Sequence, residues 1–108
     1  MIEDKELRDL FKIESEEHIR KLEDGFLRLE KEPKNQPLLE EVFREAHSLK
    51  GAARMLGLTG IQDISHSIED ILGNATKGKT VLKSETIDRL YKGLDAIKNL
   101  VNEALTGE

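Results

Sequence analysis

Apolar residues recur every three or four positions in four separate stretches of this chain, and that recurrence leaves few folds open. A 3.6-residue period lines such residues along one side of a helix, whereas a half-buried strand would need strict alternation. In the first stretch Leu7, Leu10, Phe11, Leu22, Phe26 and Leu29 keep the helical spacing, with Glu14 and His18 on the same stripe. Gly25 weakens this helix slightly. Pro33 ends it, because proline cannot continue the ladder and restricts the residue before it. The spacing predicts a helix over about 3–32. Beyond the turn-rich link 33–37, Pro37 suits the first turn of a second helix over about 37–56, and Gly57 suits its end. A third helix over about 60–77 is expected to open with Thr59 and Gln62 as a capping box. Its inward stripe is Ile61, Ile64, Ile68, Ile71, Leu72 and Ala75, with Gly78 closing it. After a polar link to Lys83, Ser84 is the expected N-cap of a fourth helix over about 84–105. Ile87, Leu90, Tyr91, Leu94, Ile97, Val101 and Leu105 point inward there.

Short loops force neighbouring helices to run antiparallel, so the expected fold is all-α, an up-down-up-down four-helix bundle. A chain of 108 residues suffices for one domain and not for two. With 36% charged and only 4% aromatic residues, the composition suits helices better than a sandwich of sheets. The net charge of −5, with no basic stripe carrying interleaved aromatics, argues against nucleic acid as a partner. Absence of cysteine removes disulfides and thiolate chemistry. No apolar run is long enough to span a bilayer, and the acidic first twenty residues hold no signal-like core. The expectation is a cytoplasmic, monomeric domain with no membrane insertion.

The second stretch, FREAHSLKGAARMLG over 43–57, is where chemistry is expected. Val42, Phe43, Ala46, Leu49, Ala53 and Leu56 make its buried face, and His47 falls about a quarter-turn from the middle of that face. Arg44, Lys50 and Gly51 are its neighbours on the helix surface. An imidazole at the edge of a core, flanked by cations and with a side-chain-free glycine beside it, suits a histidine that receives a phosphoryl group. If the link to the third helix is symmetric about Leu58, Glu69 lies level with His47, and His66 with Lys50. A carboxylate there accepts the imidazole N–H, fixes the tautomer and leaves the other ring nitrogen free to attack.

This stretch, followed by ISHSIED over 64–70, resembles the histidine phosphotransfer (HPt) domain at the N-terminus of chemotaxis-type histidine kinases, the CheA family. The resemblance covers about residues 3–105 and centres on a histidine followed by Ser/Thr, an apolar residue, Lys and Gly. It implies that His47 is the phosphoacceptor through Nε2, that Glu69 holds Nδ1–H, and that Lys50 and His66 complete a polar cluster. Gly51 would give an incoming domain room, with Arg44 and Arg54 on the approach. It also implies two partners. One is a CheA-type catalytic domain, which binds ATP and magnesium; the other is a CheY-like receiver whose aspartate takes the group on. No cofactor and no metal are expected in this domain, which has no GxxxxGK[ST] loop and so no ATP site of its own. The family often carries a fifth helix, so the chain reads as one domain of a larger kinase.

Other readings give these residues ordinary roles. Arg44, Lys50 and Arg54 also suit a solvated helix face, Glu69 a surface carboxylate, and Phe43 and Met55 packing. His18 reads as a boundary residue with a hydrogen-bonded partner. A purely structural or adaptor bundle needs none of the chemistry. His47, His66 and Glu69 are acceptable zinc ligands by type, although Lys50 among them opposes a second cation.

Overall fold

The computed structural model describes residues 1–108 and contains four helices: α1 (Lys5–Lys31), α2 (Gln36–Met55), α3 (Thr59–Thr76) and α4 (Ser84–Thr106). Each helix packs on its two neighbours round a ring and not on the one diagonal to it, which is the up-and-down bundle expected. The molecule measures 41 × 20 × 19 Å, the length of its longest helix by the width of two. Phe11, Leu22, Phe26 and Leu29 of α1, Leu39, Leu49 and Ala53 of α2, Leu72 of α3 and Leu90, Leu94 and Ile97 of α4 fill the centre.

Two of the four helix starts carry side chains that satisfy free backbone N–H groups. Asp4 accepts from Leu7 N–H at 3.1 Å, and Asn35 accepts from Leu38 N–H at 3.2 Å. The other two starts differ from expectation. Leu58 precedes α3 without a side-chain cap, so Thr59 and Gln62 form no capping box. Lys83 precedes α4, and Ser84 is already helical rather than its N-cap. In both cases the helix begins one residue earlier than a cap at that hydroxyl would require. The ends of α2 and α3 are sharper. Gly57 (φ +70°) and Gly78 (φ +72°) take the left-handed conformation that glycine adopts freely. Around Gly57, Leu58 N–H donates to Ala53 C=O and Gly57 N–H to Arg54 C=O, a Schellman closure.

Two stripes are shifted from the expected positions. Leu7 and Leu10, expected inside, are 45% and 55% exposed. Because α1 is seven residues longer than α2 and joins it by a short link, its first turns extend past the end of α2 by about 10 Å. On α3, Ser65 and Glu69 are buried while Ile64 and Ile71 are only partly so. Met55, read as packing, is 88% exposed at the end of α2, and Leu82 in the polar link is buried. His18 does have its partner: its Nδ1 lies 2.6 Å from Glu45 Oε1, tying α1 to α2.

The most extensive contact in the bundle is between α2 and α3. Ala46 and Ala53 keep that side of α2 slim, and Gly73 lies against Phe43 with no side chain between them. A close, antiparallel pair of helices with a three-residue turn holds its register tightly. The site depends on this.

Candidate functional site

His47 projects from the α2 edge that faces α3, with its side chain 64% exposed. Across the groove Glu69 stands level with it, as the hairpin symmetry requires, and Glu69 Oε2 is hydrogen-bonded to His47 Nδ1. An ionised carboxylate can only accept, so Nδ1 carries the proton and Nε2 keeps its lone pair. Glu69 Oε1 accepts from Lys50 Nζ at 2.6 Å. Both carboxylate oxygens are therefore engaged, by a helix turn's worth of α2. Burial pushes the Glu69 carboxyl up, but the hydrogen bonds from Lys50 and then His47, with the ammonium charge of Lys50, outweigh it and hold the group below the ordinary carboxylate range. Glu69 stays ionised, which is the state that can hold an imidazole N–H.

The remaining expected residues divide. At Gly51 a Cβ would meet nothing within 4 Å, so the helix surface beside the ring is open there. Arg44 and Arg54 are exposed on the same helix. Lys50 does join the polar cluster: its side chain is 19% exposed and its ammonium is bonded to Glu69. His66 is not bonded to Lys50 or His47. Its position turns it outward on α3, where Nε2 lies 3.5 Å from Asp70 Oδ1 one turn along. The ligand-like cluster on this face is His66, Glu69 and Asp70 rather than the set containing His47. In that cluster both Glu69 oxygens are already bonded, one to Lys50 and one to His47.

Phe43, for which the sequence suggests only packing, lies one turn before His47. Its ring lies nearly parallel to the imidazole, at 14° and 6.5 Å between centroids. The four-residue spacing on one helix face is the signal that identifies such a pair. With Arg44, Asp70 and Gly73, Phe43 also lines an open groove that leads away from the histidine between α2 and α3.

The comparisons with known proteins bear on this geometry. The model of the Hpt domain family matches residues 6–105. This chain belongs to that family. Among solved structures, the CheA phosphotransferase domain from Thermotoga maritima superposes with a TM-score of 0.89 at 32% identity, covering 94% of this chain and 96% of that one. The chain is 35% identical over 95 residues to the chemotaxis protein CheA of Halobacterium salinarum. It is 40% identical over 103 residues to the gliding motility regulatory protein of Myxococcus xanthus. It spans 14% and 13% of the lengths of those two proteins, and 88% and 95% of its own length is matched. The HPt domain is thus of the CheA type, and its role is histidine phosphotransfer in two-component signalling. No helix in it is long and apolar enough to cross a membrane.

Proposed function

We propose that His47 is the phosphoacceptor of this HPt domain, charged by an ATP- and magnesium-binding catalytic domain of a CheA-type kinase and discharged to a CheY-like receiver. The observation that carries the reading is the half-exposed His47 ring whose Nδ1–H is held by buried Glu69. In the forward step the Nε2 lone pair attacks the γ-phosphorus of ATP, the Nε2–P bond forms, and the bridging P–O bond breaks to release ADP. No proton has to move. The ring takes on positive charge as the bond forms, and the Glu69 carboxylate at Nδ1 stabilises that charge where it develops. In the second step a receiver aspartate oxygen attacks phosphorus and the P–N electrons return to Nε2.

Phosphoryl transfer is mostly positioning and charge neutralisation, and the domain supplies both modestly. Lys50 keeps Glu69 ionised and aimed. Exposed Arg44 and Arg54 supply positive charge on the approach. On this reading the domain is a carrier and a substrate, not an enzyme by itself. Contact with either partner is small and transient, since each must be released. The test is incubation with a CheA-type catalytic domain and γ-labelled ATP. Label stable to alkali, lost in acid and absent from His47→Gln is the expected result. Label that persists in His47→Gln moves the acceptor elsewhere.

A further inference from the structure

The geometry points to Phe43 as a positioning residue for His47, with Gly73 setting where the Phe43 ring lies; this rests on His47 being the phosphoacceptor. A single in-plane hydrogen bond from Nδ1 to Glu69 fixes the tautomer. It leaves the imidazole able to tilt about that bond, and tilting swings Nε2 away from the line of attack. A flat neighbour limits the tilt. Phe43 is that neighbour, its ring lying nearly parallel to the imidazole at 14° and 6.5 Å between centroids, within the range in which aromatic pairs attract. It is anchored from below, partly buried against the core. Gly73, level with it on α3, leaves its ring room: a Cβ on Gly73 would sit 3.3 Å from Phe43 Cε2. That separation is tighter than ordinary contact, so a methyl at 73 would shift the ring by a few tenths of an ångström. The imidazole is thus held at two places by two helices, by its edge through Glu69 and by its face through Phe43 and Gly73.

The two supports are separable by experiment, because only one of them involves a proton. In Phe43→Leu the ¹⁵N spectrum of the His47 ring should still show the Nδ1–H tautomer, while its side-chain couplings should average over more than one rotamer. The phosphorylation kcat should fall about tenfold at unchanged KM, with melting behaviour close to wild type. Phe43→Tyr, which keeps the flat face, should restore both the rotamer and kcat. Gly73→Ala should give a smaller loss in kcat, and the double variant Gly73→Ala/Phe43→Leu should be no slower than Phe43→Leu alone, since the two act through one ring. A Phe43→Leu variant with a wild-type kcat, with a loss confined to KM, or with an unchanged His47 rotamer would overturn the assignment. If the wild-type domain takes no label at all, the phosphoacceptor reading fails, and the couplings alone still decide whether Phe43 holds the ring.

Discussion

Glu69 is a buried carboxylate, and burial alone would neutralise it. The two α2 donors reverse that outcome, so the folded state favours its ionised form more than the unfolded chain does. The sign of the pH dependence follows. Glu69 contributes stability that is fully present above its ordinary value of 4.5 and is lost as pH falls below it. Denaturation curves of wild type and Glu69→Gln should therefore converge progressively below pH 4.5. At neutral pH the same variant should phosphorylate about 10–100-fold more slowly, as is usual when the partner that orients a histidine is removed. Ser65 presents the opposite case. Its hydroxyl is fully buried and has no hydrogen-bond partner, so it is a cost without a return. Ser65→Ala should stabilise the domain by about 1 kcal/mol in chemical denaturation and leave transfer unchanged.

The α2–α3 hairpin is the element that makes a site out of separate residues, and two of its glycines should respond to alanine with opposite signs. Gly57 holds a positive φ at the turn, so Gly57→Ala should destabilise by about 1 kcal/mol through the backbone alone, there being nothing within 4 Å of a new Cβ. Gly51 is helical and equally uncrowded, so Gly51→Ala should stabilise by about 1 kcal/mol. Equilibrium unfolding of the two variants side by side checks both signs. The gain at Gly51 shows why stability is the wrong measure of that position. Its open surroundings beside His47 suit the approach of another domain, and Gly51→Leu should fold normally yet transfer phosphoryl groups at a small fraction of the wild-type rate. An undiminished rate in that variant would place the docking face elsewhere.

As a whole molecule the bundle serves to hold one narrow edge rigid while the rest is packing. Its length of 41 Å leaves the His47 edge accessible along one side, and the ring of four helices fixes α2 against α3 from behind. Helix number, boundaries to within two residues, the antiparallel order and the His47–Glu69 pairing were all legible in the residues. Each is set by periodicity, by proline and glycine at the links, or by the length of one short turn. The residues alone did not decide where the ammonium of Lys50 goes, that His66 turns to Asp70, that Leu7, Leu10 and Met55 lie exposed, or that Ser65 is sealed inside. Those outcomes depend on how far one helix is rotated or extended against another. A residue at the margin of an apolar stripe moves from solvent to core with a rotation of a few tens of degrees. Periodicity in a single chain specifies each helix's inner face to about that angle, and the mutual packing of the helices supplies the rest.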